Sequence, residues 1–242
     1  MSLLEARTLV KEYGDRRVVM GISIEVAAGE VVGLLGPNGA GKTTTFSMIA
    51  GRISPTEGQV IFAGRDVTKL PMYQRARAGM SYLAQEPSIF DGLTVAENLL
   101  AVLEFHERDR VKRRARLSEL LAKLGLEPHA DKQASRLSGG YRRRLEITRA
   151  LITRPKLLML DEPFAGVDPL VVEDLQRIIG DLKREGLGLL ITDHNVHATL
   201  RITDRAYIVH AGEVLASGTA SELANNEVAR SKYLGSSMPI HG

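Results

Sequence analysis

The sequence predicts an α/β fold in which a largely parallel β-sheet is covered by helices. Apolar runs typical of buried strands, at residues 31–35, 157–160 and 187–192, alternate with helical patterns. A glycine-rich loop directly follows the first run, and two adjacent carboxylates follow the second. With 242 residues, of which 44% are hydrophobic, the chain can bury one substantial core. We therefore expect one module over residues 1–242.

Short strand-like segments outside this alternation predict a second sheet. Residues 3–10, 18–26 and 59–62 are bounded by turns, which favours an antiparallel β-layer beside the parallel core. Residues 80–83 are expected to form a further strand, and a helix is expected to begin near Pro169. The module is thus expected to combine a parallel core with an N-terminal antiparallel layer.

Between residues 93 and 153 the pattern is mainly helical. Thr94 and Glu97 match a capping box at the start of a helix over 95–105. The charged stretch at 107–114 is typical of a solvated helix face. These features predict a helical subdomain, at about 93–153, inserted into the module.

Composition narrows the classes of function. The chain has no cysteine, which excludes a disulfide framework and a thiolate metal site. The N-terminus lacks the charged-then-apolar pattern of a signal peptide, so we expect a cytoplasmic location. No apolar run approaches the roughly 18 residues of a membrane-spanning helix, so a membrane role would need a separate subunit. A formal charge of +3 with 5% aromatic residues is typical of a soluble surface and does not indicate nucleic-acid binding.

A phosphate-binding pattern follows the first predicted strand. Its residues are Gly36, Pro37, Asn38, Gly39, Ala40, Gly41, Lys42, Thr43 and Thr44. The glycines let backbone N–H groups curl around phosphate oxygens, and the next helix points its positive N-terminal end at them. Lys42 is expected to reach the β- and γ-phosphates, and Thr43 to offer its hydroxyl to Mg²⁺. The pattern predicts binding of a nucleoside triphosphate.

Two acids, Asp161 and Glu162, follow the apolar run at 157–160, at the edge where open α/β sheets bind ligands. Successive strand residues point to opposite sides, so the two acids can act differently. We expect Asp161 to join the Mg²⁺ shell and Glu162 to act on the water that attacks the γ-phosphate. The alternative is a helix N-cap with a neighbour that the helix dipole stabilises.

A serine-glycine-glycine run opens a basic helix, in the segment Leu137, Ser138, Gly139 and Gly140. Such a run can bind an anion, although an ordinary serine N-cap is the alternative. The phosphate loop, this run and the strand with its paired acids, in this order and spacing, resemble the ATPase subunits of ABC transporters over essentially the whole chain. The resemblance implies the ABC ATPase fold and a head-to-tail homodimer around two ATP molecules. In that dimer Ser138, Gly139 and Gly140 of one subunit face the phosphate loop of the other.

The resemblance assigns roles to four further residues. Tyr13 matches an aromatic ring that stacks on adenine, and the alternative is a packed strand-end tyrosine. Gln85 matches a glutamine that approaches Mg²⁺ and the attacking water; the alternative is an exposed loop residue. His194 matches the switch histidine that holds the γ-phosphate and orients the water, although a lone histidine after a strand is often structural. Asp168 matches an aspartate that crosses the dimer interface, and it can also cap the helix beginning at Pro169.

The sequence departs from the family at Tyr141, where glutamine or glutamate is usual. Tyrosine is larger but leaves Ser138 and Gly140 intact, so we expect altered interface contacts or hydrolysis rate rather than lost ATP binding. The arginines at 142–144 either dock acidic partner groups or form a solvated helix face, and we favour the solvated face.

Three segments, at 86–90, 162–169 and 191–196, are most similar to the ATPases of lipopolysaccharide exporters, and residues 233–235 add weaker support. The similarity implies peripheral association with the cytoplasmic face of the inner membrane, through two separate transmembrane permease subunits. Phe90 is then expected to line the groove that receives a coupling helix from these subunits. Core packing is the alternative for this side chain.

Two other functions remain as hypotheses. ATPases of branched-chain amino-acid importers resemble this chain across the same motifs, so cargo and transport direction rest on resemblance alone. Soluble ABC proteins that act on ribosomes or DNA generally carry two ATPase halves or a long coiled insert, whereas this chain has one set of motifs and no heptad run. We therefore expect transport powered by ATP, in which ATP binding closes the dimer and hydrolysis followed by opening resets the membrane partner.

Overall fold

The computed structural model describes residues 2–86 and 88–234. Its strands are β1 (Ser2–Tyr13), β2 (Arg16–Ala27), β3 (Val31–Leu35), β4 (Glu57–Phe62), β5 (Arg65–Asp66), β6 (Met80–Leu83), β7 (Leu157–Asp161), β8 (Gly188–Asp193), β9 (Arg205–His210) and β10 (Glu213–Gly218). Its helices are α1 (Lys42–Ala50), α2 (Met72–Ala78), α3 (Val95–His106), α4 (Arg110–Lys123), α5 (Gly139–Leu151), α6 (Pro169–Arg184), α7 (Val196–Leu200), α8 (Ala220–Asn225) and α9 (Glu227–Ala229). Of the segments that suggested a lipopolysaccharide exporter, Pro87 and Gly235 lie outside the described residues.

The strands form two sheets. One is antiparallel, in the order β2, β1, β4, β5. The other has the order β10, β9, β3, β8, β7, β6, and its neighbours are parallel except β10 and β9. The predicted fold class is therefore confirmed, including the antiparallel layer. The predicted strands at 31–35 and 80–83 coincide with β3 and β6.

The parallel sheet is the middle layer of the molecule. On β7, Leu158 and Leu160 pack in one apolar cluster with side chains of α3, α4, α5 and α6. Leu157 and Met159, which point the other way, pack in a second cluster with α1 and the antiparallel sheet. Because both faces are covered, the central strands are continuous apolar runs rather than alternating patterns.

Strand register brings the sequence motifs to one edge of this sheet. β3 pairs with β8 so that Leu35 lies beside Asp193. β7 pairs with β8 so that Asp161 lies beside Thr192. The loops that follow β3, β7 and β8 therefore meet at the carboxyl edge, which is where open α/β sheets hold their ligands.

The far end of α1 is closed by Arg75 of α2, which is only 1% exposed. Its Nη1 donates to the carbonyl oxygens of Met48 (2.7 Å) and Ile49 (2.6 Å). Its Nε donates to Leu70 (2.8 Å) and its Nη2 to Thr68 (2.9 Å). Burial lowers the pKa of Arg75 to about 10, and the four carbonyls replace water around the guanidinium. A cation at a helix C-terminus is also favoured by the helix dipole.

The helical segment between β6 and β7 begins with the predicted capping box. Thr94 Oγ1 accepts from Glu97 N at 3.1 Å, and Glu97 Oε2 accepts from Thr94 N at 2.7 Å. The charged stretch 107–114 is mostly exposed but only partly helical, because Asp109 caps the start of α4. The prediction of a solvated helix face was therefore wrong for residues 107–109, which lie between α3 and α4. Among the described helices, none combines the length and apolarity needed to cross a bilayer.

Candidate active site

The phosphate-binding loop packs tightly at the end of β3. A Cβ at Gly36 would lie 2.1 Å from the carbonyl oxygen of Val209, so only glycine fits there. Gly41 has φ 103° and precedes α1, which has no side-chain cap within the described residues. The N–H groups that open α1 can therefore face an anion. The other loop residues range from exposed to buried: Asn38, Gly39 and Thr43 (exposed), Pro37 and Thr44 (half-buried) and Ala40 (buried).

Lys42 is buried in this loop, with 5% of its surface exposed. Its Nζ donates to the carbonyl oxygens of Gly36 at 2.7 Å and Pro37 at 3.0 Å. Burial lowers the pKa of Lys42, while the nearby carboxylates at the strand ends oppose that shift. The ammonium group is thus held over the loop, beside the acids that the sheet delivers.

Asp161 is buried at the end of β7, with 4% of its surface exposed. Its Oδ2 accepts a hydrogen bond from the hydroxyl of Tyr82, on the neighbouring strand β6, at 2.9 Å. Burial raises the pKa of Asp161, and the hydrogen bond from Tyr82 lowers it in part. The carboxylate therefore has a fixed orientation at the sheet edge.

Glu162 is the centre of a three-residue cluster. Gln85 Nε2 donates to Glu162 Oε2 at 3.0 Å, and His194 Nδ1 lies 3.4 Å from the same oxygen. Glu162 has φ 47°, and its N–H donates to the carbonyl of Thr192 at 2.7 Å. A left-handed conformation costs a non-glycine residue about 1–3 kcal/mol and is concentrated at functional sites. The structure thus brings together Gln85, Glu162 and His194, which the sequence only suggested as neighbours.

Asp193 is a buried acid at this edge that the sequence analysis missed. Its side chain is fully buried, and its carboxylate accepts from Phe164 N at 2.9 Å and from Asn195 N at 2.7 Å. It therefore ties the loop after Glu162 to the loop after His194. Burial raises the pKa of Asp193, and the two N–H donors oppose the shift. The available signal was its position, since it follows a central apolar strand as Glu162 does.

Three predicted nucleotide contacts lie on the surface. Tyr13, at the end of β1, is 52% exposed, so its ring is not packed in the core. Ser138 and Asp168 occupy the N-cap positions of α5 and α6 and are exposed. Neither side chain makes a capping hydrogen bond in the described part of the chain. The alternative of a conventional side-chain cap is therefore not supported for these two residues.

The structure does not join the serine-glycine-glycine run to the phosphate loop of the same chain. No hydrogen bond of the described residues links 138–140 to 36–44. Gly139, Gln85 and Glu162 instead line one cleft, which has a volume of about 370 Å³. Gly140 packs against α6, where an added Cβ would lie 3.1 Å from Val171.

Phe90 lies in the loop after β6 and is 48% exposed. Asn98 holds its backbone, because Oδ1 accepts from Phe90 N at 2.8 Å and Nδ2 donates to Phe90 O at 3.0 Å. The guanidinium carbon of Arg149 lies 4.8 Å from the centre of its ring. The ring is therefore presented on a fixed loop and is not part of the core.

The arginines that open α5 do not form a solvated face, so that interpretation was wrong. Arg143 is 8% exposed; its Nη1 lies 2.7 Å from Glu146 Oε2 and donates to Ala84 O at 3.4 Å. Arg142 pairs with Asp91 at 3.0 Å. The guanidinium groups of Arg142 and Arg143 instead contact the loop that joins β6 to α3, at Asp91 and Ala84, which a sequence pattern cannot show because these two partners are distant along the chain.

Arg144 and Tyr141 face the other helices. Arg144 Nη2 lies 2.6 Å from Asp174 Oδ2 on α6. The ring of Tyr141 lies 4.1 Å from that of His129 and 5.2 Å from the guanidinium carbon of Arg144. The departure at Tyr141 is thus accommodated by packing among the helices.

A family model and full-length relatives both indicate the same protein family for this chain. A family model described as ABC transporter matches residues 19–165. The lipopolysaccharide export system ATP-binding protein LptB of Acidithiobacillus ferridurans is 51% identical, covering 98% of this chain and 99% of the relative. LptB of Escherichia coli strain K12 is 49% identical, covering 97% of this chain and 98% of the relative.

Solved structures show the same fold. MJ1267 in its ADP conformation, an ATP-binding cassette of an ABC transporter, is 31% identical with a TM-score of 0.87, covering 97% of each chain. The dimeric structure of MJ0796, a bacterial ABC transporter cassette, is 25% identical with a TM-score of 0.78, covering 89% of this chain and 98% of that one.

Proposed function

This chain belongs to the ABC transporter family and is an ATPase, and from this premise we propose that it powers lipopolysaccharide export. The observation that supports its catalytic assignment is the contact of both Gln85 and His194 with Glu162 at the sheet edge. The assignment of lipopolysaccharide as the cargo is supported by the LptB relatives, whose sequences are 49–51% identical to this chain over 98–99% of their length.

Hydrolysis is assigned to the cluster around Glu162. Lys42 and the N–H groups that open α1 hold the β- and γ-phosphates. The oxygen of a water molecule attacks the γ-phosphorus while Glu162 accepts a proton from that water. The bond between the γ-phosphorus and the β–γ bridging oxygen breaks, and ADP leaves. Gln85 and His194 hold the Glu162 carboxylate, and His194 contacts the γ-phosphate.

The oxygen donors at the same edge suit Mg²⁺, which prefers carboxylate, hydroxyl and amide oxygens. Asp161 offers a carboxylate held by Tyr82, and Thr43 is exposed at the start of α1. We assign Thr43, Asp161 and Gln85 as the residues that would hold the ion. Bound Mg²⁺ would neutralise charge that develops on the phosphates.

We assign the second half of each ATP site to another copy of the chain. Ser138, Gly139 and Gly140 sit at the uncapped start of α5, where N–H groups can bind a phosphate. The dimeric MJ0796 cassette supports a homodimer, and we assign its two copies a head-to-tail arrangement. Asp168 would cross that interface, and Tyr13 would stack on adenine.

Coupling to the membrane is assigned to Phe90, because its ring is exposed on a loop that Asn98 and the arginines of α5 hold. The helical subdomain at 93–153 would move with this loop. Two transmembrane permease subunits would seat a coupling helix there, which places the ATPase on the cytoplasmic face of the inner membrane.

The test is to purify the tagged Glu162→Gln variant with ATP from detergent-solubilised native membranes and to identify what co-purifies by mass spectrometry. Two polytopic subunits with large extracytoplasmic domains are expected. Permeases accompanied by an amino-acid-binding protein would favour an importer, and ribosomal or DNA-repair partners alone would overturn the transport assignment. Lys42→Ala, purified in parallel, controls for capture that does not depend on ATP.

A further inference from the structure

Tyr82 links the metal-binding acid to a basic side chain. Its hydroxyl donates to Asp161 Oδ2 at 2.9 Å and accepts from Arg52 Nη1 at 3.0 Å. Arginine can only donate, and an ionised carboxylate can only accept, so the hydroxyl proton must lie on the Asp161 side. The three groups therefore form a chain with one direction, from Arg52 through Tyr82 to Asp161.

The ring of Tyr82 is held in place by neighbours on two other elements. Its centre lies 6.1 Å from that of Phe46 on α1, and the guanidinium carbon of Arg52 lies 5.5 Å from it. On β6, Tyr82 pairs with Met159 of β7.

We propose that Tyr82 is a positioning residue for Mg²⁺, acting by fixing the rotation of the Asp161 carboxylate. This inference rests on the proposed function, because it takes Asp161 as a metal ligand. Carboxylates that bind metals are themselves held by hydrogen bonds, and loss of such a partner typically weakens metal affinity roughly 10–100-fold. Arg52 strengthens the bond by polarising the hydroxyl that it donates to.

The test uses Tyr82→Phe, which keeps the ring and removes only the hydroxyl. Binding of a non-hydrolysable ATP analogue is measured by calorimetry in EDTA and across a Mg²⁺ titration. We expect the Mg²⁺ concentration that gives half-maximal enhancement of binding to rise about ten-fold. The affinity for the analogue in EDTA should stay within two-fold of the parent chain.

Two outcomes would overturn the proposal. One is a Mg²⁺ dependence within two-fold of the parent, and the other is an equal loss of affinity with and without Mg²⁺, which would indicate a structural role. Arg52→Gln provides a second variant at an exposed position and should give a smaller shift in the same direction. Tyr73→Phe, at an exposed tyrosine on α2, is the matched control and should change neither measurement.

Failure of the proposed function would be recognised separately. If the parent chain itself bound the analogue no more tightly with Mg²⁺ than in EDTA, the ATP site assignment would fail before Tyr82 is considered. A normal Mg²⁺ response in the parent with no change in Tyr82→Phe would reject only the role of Tyr82.

Discussion

Three helices that begin at proposed ATP contacts, α1, α5 and α6, start differently from α3, α4 and α8, whereas among the described residues α2 also lacks a side-chain cap and α7, which follows His194, has one. Thr94, Asp109 and Thr219 cap α3, α4 and α8, accepting backbone N–H groups at 3.1, 2.8 and 3.3 Å. In the described residues, the N-cap side chains of α5 and α6 make no such bond although they are serine and aspartate, and α1 begins after a glycine. A helix start leaves four N–H groups unpaired. The difference teaches that residue type alone does not decide a cap, and that uncapped starts keep donors for a ligand or partner.

Glu162→Gln gives the largest expected effect, because it separates catalysis from ATP binding at the helix starts proposed as ATP contacts. Loss of a general base should lower turnover roughly 10²–10⁴-fold. ATP affinity should be retained, and size-exclusion chromatography with light scattering should show an ATP-dependent dimer. Hydrolysis near the parent rate would remove Glu162 from catalysis.

Lys42→Ala tests the uncapped start of α1. The buried ammonium group is expected to contact the β- and γ-phosphates, and a charged hydrogen bond is worth about 1.5–3 kcal/mol. ATP affinity, measured by equilibrium binding, should therefore fall about 10–100-fold. Lys112→Ala, at an exposed lysine of α4, is the control. Unchanged affinity in Lys42→Ala would refute the role of the loop.

Ser138→Ala tests the uncapped start of α5. The hydroxyl makes no capping bond in the described structure, so its loss should change the free energy of unfolding by less than about 0.5 kcal/mol. Turnover and ATP-dependent dimerisation should fall about ten-fold, as expected for one lost hydrogen bond to a charged group. A large loss of stability with normal turnover would show that Ser138 is a structural cap.

Thr94→Ala completes the comparison with the smallest functional effect. Removing a serine or threonine cap costs typically about 1 kcal/mol of stability. Urea unfolding should show that loss, while the turnover of the folded protein stays within two-fold of the parent. If turnover fell as far as in Ser138→Ala, the division between structural and functional helix starts would be lost.

Much of the fold could be predicted because buried parallel strands are continuous apolar runs in the sequence. β3 and β6 coincide with their predicted bounds, and β8 differs by one residue at each end. The phosphate-binding loop could also be predicted, because the spacing of its glycines is the one that lets backbone N–H groups curl around phosphate oxygens. Local capping at Thr94 was also predicted, since both partners lie within one turn.

Contacts between residues distant along the chain could not be predicted. Arg143 reads as one of three surface arginines, yet it is buried beside Glu146 and reaches the loop after β6. Asp193 was overlooked because its donors belong to two different loops. Tyr82 gave no signal, since its partners Arg52 and Asp161 become neighbours only when the sheet forms.

The phosphate-binding loop and α1 depend on a residue outside them, the buried Arg75 of α2. Its four carbonyl acceptors lie at the end of α1 and in the loop before α2. A segment spanning only residues 36–50 would lose this anchor and expose the carbonyls that end α1. Grafting the loop into another protein would therefore require transplanting residues 68–75 as well, in the same spatial arrangement.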